Sequence, residues 1–263
     1  MMLKSPSVNL SVIVPVFNEE ETVAQLLESV ASAPLPSGIE SLEIISVDDR
    51  SSDGTLAVLK SWSAPGRADG LDVSFRMECH DRNQGKGAAL RTGFAAAAGD
   101  ILLIQDADLE YDPAEYPSLL KPILEGKADV VYGSRFLIRR ASRVLYFYHY
   151  LGNRFITFFS NLFTNKNMSD IETCYKVFRS FLLTSMPINS SGFGFEVEVT
   201  AKVSKTRARV YEAPISYHGR TYDQGKKISY VDGLSALWYI LRYNLAPGAE
   251  TRSYIEESNR KLK

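Results

Sequence analysis

Apolar positions along this chain switch between two periods in a regular order. Residues 10–16 form a short, β-branched apolar run ending around Pro15, the pattern of a buried strand. Residues 19–33 then repeat apolar side chains at helical spacing (Val23, Leu26, Leu27, Val30) and stop before Pro34. Residues 42–47 read as a second strand, followed by Asp48-Asp49, a Ser/Asp/Gly turn and a helix through Leu56, Leu59 and Trp62. The alternation continues with a strand over 71–77, an Ala-rich helix over 87–98 and a strand over 101–105. A helix after Pro113 and a fifth strand over 129–132 complete it. Strict alternation of this kind predicts an α/β fold, a parallel sheet covered by helices on both faces. Ligands of such sheets bind beyond the carboxyl ends of the strands. Asp48/Asp49 and Asp106/Asp108 fall at two of those ends.

After residue 132 the pattern changes. Residues 130–169 contain no Asp or Glu but hold Arg135, Arg139, Arg140, Arg143, Arg154 and Lys166, with aromatics interleaved. Leu151, Phe155, Phe158, Phe159, Leu162 and Phe163 fall on one helical face, while Asn153, Arg154, Thr157, Ser160 and Asn161 fall largely elsewhere. Such a helix packs on the core or a partner subunit, or it lies in a membrane interface with its arginines at anionic headgroups or a lipid phosphate. A strand near 175–178, a helix over 196–204, a short strand through Val210, a polar loop over 217–227 and a helix over 231–243 follow. The polar tail 246–263 is expected to fray. With no repeat or linker, residues 1–263 read as one domain.

Composition narrows the function classes. Hydrophobic residues at 45% and charged residues at 23% are those of a globular protein. A net charge of −1 gives no general attraction to nucleic acid, and no nucleic-acid module accompanies the arginines, so nucleic acid is not an expected partner. Cys79 and Cys174 have neither metal-type nor redox-type spacing, which fits a reducing compartment. His80, His149 and His218 are too scattered for a zinc site. Pro6, Asn9 and Pro15 interrupt any signal peptide. Residues 144–163 carry His149, Asn153, Arg154, Ser160 and Asn161, costly at a bilayer centre. The expected location is cytoplasmic, at most peripheral on the cytoplasmic membrane face.

The main chemical signal is Asp106-Ala107-Asp108 at a strand end. Two carboxylates one residue apart repel unless a cation or donor compensates them. Hard oxygen ligands suit Mg²⁺ or Mn²⁺, which bridge one or two carboxylates to substrate phosphates, and Glu110 offers another ligand. Gly85-Lys86-Gly87 lacks both P-loop spacing and its Ser/Thr, and Leu90 breaks a dinucleotide fingerprint. A tight strand-to-helix turn, with Lys86 near a ligand, is what it predicts.

Context sharpens this. Val14-Pro15-Val16-Phe17-Asn18-Glu19, Val47-Asp48-Asp49-Arg50-Ser51-Ser52-Asp53-Gly54-Thr55, Asn83-Gln84-Gly85-Lys86-Gly87, Asp106-Ala107-Asp108 and Gly133-Ser134-Arg135 occur in that order. In this the chain resembles the family 2 glycosyltransferases of GT-A fold. Within them it is similar to dolichol-phosphate mannose synthase and the bacterial polyprenyl-phosphate hexosyltransferases, over residues 10–243. The resemblance implies a nucleotide-sugar half (10–132) and an acceptor-side half (133–245). It implies that Pro15, Phe17 and Glu19 hold the nucleoside, and that Val47 and Asp49 border the base, Asp49 accepting hydrogen bonds from it. Asp106 and Ala107 would face ribose and diphosphate. Asp108 with Glu110, beside Asp106, would hold the metal. Arg135, and Arg220 and Lys226 of the 217–227 loop, would meet the phosphates. Two departures, Cys174-Tyr175-Lys176 for Ser-Phe-Arg and Phe17 for tyrosine, bear on the acceptor more than the donor.

The implied reaction is inverting, metal-dependent transfer of a hexose from a nucleoside-diphosphate sugar, of the GDP-mannose or UDP-glucose type, to a polyprenyl phosphate. A phosphate acceptor arrives ionised and needs no base. A glycan or small-molecule hydroxyl, the alternative acceptor, needs one, and Asp170, Glu172 and Glu196 are the candidates. A sugar nucleotidyltransferase would carry a glycine-rich N-terminal loop where this chain has Pro15-Val16-Phe17-Asn18. A silent nucleotide-sugar-binding protein would not need the whole acidic and basic set.

Overall fold

The computed structural model describes residues 8–137, 143–144, 146–192, 194–219 and 230–263. Arg139, Arg140, Arg220, Lys226 and most of the 217–227 loop lie outside the described residues.

Among the described residues seven strands form one sheet: β1 (Val8–Val16), β2 (Ile39–Asp48), β3 (Asp72–Cys79), β4 (Ile101–Ile104), β5 (Val130–Ser134), β6 (Lys176–Arg179) and β7 (Val210–Pro214), in the order β3-β2-β1-β4-β6-β5-β7. All pairs are parallel except those of β6, which runs antiparallel to both β4 and β5. The helices are α1 (Val23–Ala31), α2 (Thr55–Ser61), α3 (Lys86–Ala96), α4 (Tyr116–Leu124), α5 (Phe147–Thr164), α6 (Ser180–Thr184), α7 (Phe195–Ser204), α8 (Tyr230–Leu245) and α9 (Ala249–Lys261). A 3₁₀ turn over Pro113–Glu115 precedes α4, capped by Asp112 Oδ1 accepting from Ala114 N at 2.9 Å.

The central strands are largely apolar because helices cover them. All four residues of β4 are buried, as are Val12, Ile13, Ile44 and Ile45 on its neighbours. Helix α1 packs on β2 and α2, while α3 lies across β1 and β2 and meets α6. On the far side, α5 and α7 both pack against α8.

One expectation changes. The polar tail does not fray: it forms α9, with Thr251, Tyr254 and Ser258 buried at i, i+3 and i+7 on one face. Three residues suffice to dock a polar helix, too narrow a stripe to stand out in its sequence. Helix α5 packs Ile156, Phe159 and Phe163 against the core and buries Thr157 and Ser160, while Leu151, Phe155, Phe158 and Leu162 are 50–64% exposed. Part of its polar side is turned inward, where it serves the segment after α5. Asn161 Nδ2 donates to Met168 O at 2.8 Å, Asn161 Oδ1 accepts from Met168 N at 3.1 Å, and Arg154 donates to Ser169 O. Buried backbone groups need partners, and this helix supplies them.

Candidate functional site

Strands β2 and β3 lie to one side of β1 while β4 lies on the other. The sheet order therefore reverses between β1 and β4, and their carboxyl ends frame a crevice. Pro15 is the penultimate residue of β1, and Phe17, 39% exposed, follows the strand at the rim. Asn18 adopts a left-handed φ of 53° and ties the turn to the loop after β2: its N donates to Ser51 Oγ at 3.0 Å and its Oδ1 accepts from Ser52 N at 2.8 Å. Glu19 N donates to Thr55 Oγ1 at 2.9 Å. Thr22 Oγ1 sits 2.8 Å from Glu19 Oε2 and 2.9 Å from Ala107 O, pinning the β1 turn to the β4 turn.

Val47 lies at the end of β2 and Asp49 directly after it, both buried. The Asp49 carboxylate is already an acceptor for three donors: His80 Nδ1 at 2.6 Å and Gln84 N at 2.8 Å on Oδ1, and Gly85 N at 2.7 Å on Oδ2. His80 is in turn fixed by Thr92 Oγ1 at 2.8 Å. Only Oδ2 keeps acceptor capacity for a base. His80 gave no sequence signal, since its partners lie 31 and 12 residues away.

The repulsion expected at Asp106 is answered by Lys86. Its ammonium bridges Asp106 Oδ1 at 2.9 Å and Glu196 Oε1 at 3.0 Å. Burial alone would pull this lysine down, but the two carboxylates outweigh it and hold Lys86 well above its ordinary value, firmly charged. Beneath the turn, Gln105 is fully buried, accepting from Tyr116 OH at 2.8 Å and Tyr175 OH at 2.7 Å and donating to Asp106 O at 2.9 Å. The glycines beside Lys86 admit a strap of backbone rather than a phosphate. Gly87 N donates to Ser191 O at 2.8 Å, and a Cβ at Gly85 or Gly87 would collide with the carbonyls of Ser191 or Ser190. Glu198 Oε1 and Oε2 hold this strap by accepting from Asn189 N at 2.9 Å and Ser190 N at 2.7 Å, and Lys202 neutralises Glu198 at 2.5 Å.

Asp108 and Glu110 flank Leu109, which has φ 60°, and Asp108 Oδ1 accepts from Glu110 N at 3.1 Å. Glu110 turns toward the acceptor-side half: its Oε2 accepts from Tyr217 OH at 2.7 Å and its carbonyl from His218 N at 2.8 Å. Burial and Glu110 both raise the Tyr217 phenol, so it stays a donor. The Arg135 guanidinium stacks over the Tyr217 ring at 5.2 Å. It is held by Asp170, whose loop is anchored by Glu212 Oε1 accepting from Ser169 N and Oγ, both at 2.8 Å. Asp108, Glu110 and Asp106 do not form one ligand cage: among the described residues no three His, Cys, Asp or Glu groups are placed to hold a metal ion. Hard carboxylates on one turn still suit Mg²⁺ or Mn²⁺, which take one or two protein carboxylates and complete their shell from phosphates and water.

The three carboxylates singled out as bases differ sharply. Asp170 is fully buried and ion-paired with Arg135. Glu196 is committed through Oε1 to Lys86. Glu172 has no such partner among the described residues, and burial with the nearby Glu196 pushes it up to about 7. Lys176, the departure from arginine, is buried and donates to Thr173 O, with burial pulling it below its ordinary value.

Exposed large hydrophobic side chains concentrate beside this crevice. Leu137, Val144, Tyr146–Tyr148, Tyr150 and the outer face of α5 are joined by Trp238, Leu241 and Leu245 of α8. Arg143 links the start of this surface to the Tyr217 segment, donating to Gly219 O at 2.9 Å. Among the described residues no helix is long and apolar enough to cross a membrane.

Similar proteins agree with this architecture. The chain is 29% identical over 247 residues to the low-salt glycan biosynthesis hexosyltransferase Agl6 of Haloferax volcanii, covering 91% of this chain and 54% of that one. It is 27% identical over 247 residues to the dodecaprenyl-phosphate galacturonate synthase of Rhizobium johnstonii (92% and 70%). It is 32% identical over 178 residues to the undecaprenyl-phosphate 4-deoxy-4-formamido-L-arabinose transferase of Pectobacterium carotovorum (68% and 51%). The chain thus spans about half the length of two of these relatives. The crystal structure of glucosyl-3-phosphoglycerate synthase from Mycobacterium tuberculosis with Mn²⁺ and UDP superposes with a TM-score of 0.62, at 20% identity, covering 92% of this chain and 82% of that one. That likeness shows the GT-A fold. The model of glycosyl transferase family 2 matches residues 11–185, and the chain belongs to that family.

Proposed function

We propose that the protein transfers a hexose from a nucleoside-diphosphate sugar to a polyprenyl phosphate. The observation that carries this is the exposed apolar face on α5 and α8, tied to the Asp170–Arg135 loop by Arg154 donating to Ser169 O and to the Tyr217 segment by Arg143 donating to Gly219 O. A lipid acceptor must leave its chain in a membrane while its phosphate enters the strand-end crevice. The apolar face gives the membrane a place to meet the protein. Two relatives whose names specify dodecaprenyl and undecaprenyl phosphates support the same acceptor class.

In this reading Pro15, Phe17 and Glu19 border the nucleoside, with Val47 and the remaining acceptor site of Asp49 at the base. Asp106 and Ala107 lie at the ribose and diphosphate. Asp108 with Glu110 would hold Mg²⁺ or Mn²⁺, which supplies charge neutralisation on the departing diphosphate. Arg135 keeps Nη1 outside its pair with Asp170 and offers it to phosphate oxygens, joined by Arg220 and Lys226. Tyr217, fixed by Glu110, holds the guanidinium plane in register. Lys86 orients Asp106, and the ionised acceptor phosphate attacks the anomeric carbon without a base as the nucleoside diphosphate leaves.

A donor panel assayed with Mg²⁺ or Mn²⁺, with and without a short polyprenyl phosphate, tests the proposal. Product should form only with the lipid phosphate. Efficient transfer to a free sugar hydroxyl, with none to the lipid phosphate, would replace it with a hydroxyl-acceptor enzyme in which Glu172 is the base.

A further inference from the structure

A cavity of about 440 Å³ lies where the end of α8, the start of α9 and Asn189 meet. Its lining includes none of the residues assigned to the strand-end crevice. Helix α9 opens at Gly248 without a side-chain cap, and its first backbone bond runs from Arg252 N to Gly248 O. The N–H groups of Ala249, Glu250 and Thr251 therefore have no acceptor among the described residues, and all three residues line the cavity. Thr251 is only 5% exposed, yet its hydroxyl has no hydrogen bond among the described residues. Buried hydroxyls nearly always have a partner, and this one must take its partner from the cavity.

The charges around the cavity select among ligands. Arg242, in the last turn of α8, stands 5.7 Å from the Tyr243 ring and has no carboxylate in ion-pair range among the described residues. Lys205 adds positive charge behind Tyr243, donating to Tyr243 O at 3.2 Å and Asn244 Oδ1 at 2.8 Å, both neutral. A cation would meet these groups and the positive end of the α9 dipole. A neutral ligand would leave the guanidinium without a counter-ion. Glu250 is the one carboxylate in the lining, and it is exposed, so water screens it. Phosphate oxygens accept from backbone N–H, hydroxyl and guanidinium groups together. The volume falls within the about 300–1,000 Å³ of small-ligand sites, which leaves room for an organic group on the phosphate.

We propose that Arg242, Thr251 and the N-terminus of α9 bind the phosphate of a phosphate ester, at a site separate from the reaction centre. Leu245, 67% exposed, directly precedes Ala246 of the lining, so the cavity adjoins the apolar side of α8. The phosphate is therefore that of a lipid headgroup or of a soluble ester. None of these residues serves the transfer chemistry proposed above, so the site stands whatever the enzyme transfers.

The test titrates the ¹⁵N-labelled full chain with inorganic phosphate and with glycerol 3-phosphate at constant ionic strength. It also floats the chain with vesicles of phosphatidylcholine, with and without phosphatidylglycerol. Saturable shifts of the Ala249, Glu250 and Thr251 amides would assign a soluble phosphate. Flotation that requires phosphatidylglycerol, without those shifts, would assign a lipid headgroup. Arg242→Gln should weaken the response by about 10-fold or more, the usual worth of hydrogen bonds to a charged group, and Thr251→Val by about 2–10-fold. Thr251→Val keeps shape and charge and removes no protein hydrogen bond, so weakened binding at an unchanged unfolding midpoint reads the hydroxyl itself. Glu250→Gln should tighten binding by removing the lining carboxylate. No response to soluble phosphate or to phosphatidylglycerol would overturn the site, as would a response that both Arg242→Gln and Thr251→Val leave unchanged.

Discussion

The Arg135 guanidinium and the Asp170 carboxylate meet in two parallel hydrogen bonds, Nε to Oδ2 and Nη2 to Oδ1, each 2.7 Å long. Asp170 is fully buried, so the pair is a fixed piece of architecture rather than a surface contact. Removing one partner of a buried pair strands the other, typically at about 3–5 kcal/mol. Asp170→Asn should lower stability by that order in urea unfolding and reduce transfer, because the phosphate-side guanidinium loses its orientation. A loss below about 1 kcal/mol, the range of surface pairs, would show the pair to be solvated.

Asp108→Ala should cut transfer by about 10²-fold or more and abolish Mn²⁺-dependent tightening of donor binding, with the unfolding midpoint unchanged. Metal-titrated donor binding is the measurement. Near-normal turnover in saturating Mn²⁺ would remove Asp108 from the metal site.

Glu172 gives a pH signature. An unfolded glutamate titrates near 4.5, whereas burial and Glu196 push Glu172 up to about 7 in the folded protein. Between those values the folded state holds a proton the unfolded state has lost, so this group's contribution to stability declines as pH rises from about 4.5 to 7. Glu172→Gln should therefore gain on wild type in urea midpoint between pH 5 and pH 8. A pH-independent difference would mean that Glu172 ionises as it does in water.

Two glycine substitutions should move stability in opposite directions. Gly87→Ala drives a Cβ into the Ser190 carbonyl and should destabilise by about 1–3 kcal/mol through the displaced strap. Gly152→Ala, in mid-α5 with open space around it, should stabilise by about 0.5–1 kcal/mol. Thermal unfolding of the two proteins distinguishes them, and a tolerated Gly87→Ala would show the strap to be loosely seated.

The outer face of α5 predicts flotation with anionic vesicles at moderate salt, where long-range charge attraction is screened. Phe155→Ser together with Phe158→Ser should abolish it while leaving the unfolding midpoint unchanged, because both rings are at least half exposed. Wild-type protein that stays at the bottom of the gradient would assign the face to another protein surface.

The alternation of β-branched runs with helical spacing determined the β1–β5 half, because strands buried on both faces must be apolar along their whole length. The same periodicity placed Asp49, Asp106 and Asp108 at strand ends, where the sheet exposes ligand-binding turns. The resemblance of the ordered motifs to the glycosyltransferases gave the family. What the chain could not state locally was who neutralises whom. Asp106 is paired by Lys86, 20 residues earlier in the chain at the start of α3, and Glu196 arrives from α7 to share that lysine. The antiparallel direction of β6, the docking of α9 and the outward turn of the α5 apolar face were likewise settled by packing. In α5 the pattern showed an amphipathic helix, but only the demand of residues 168–171 for hydrogen-bond partners decided that Thr157 and Asn161 face in beside Ile156, Phe159 and Phe163. Periodicity specifies that a helix has two faces, and the long-range contacts of the folded chain choose which one the core receives.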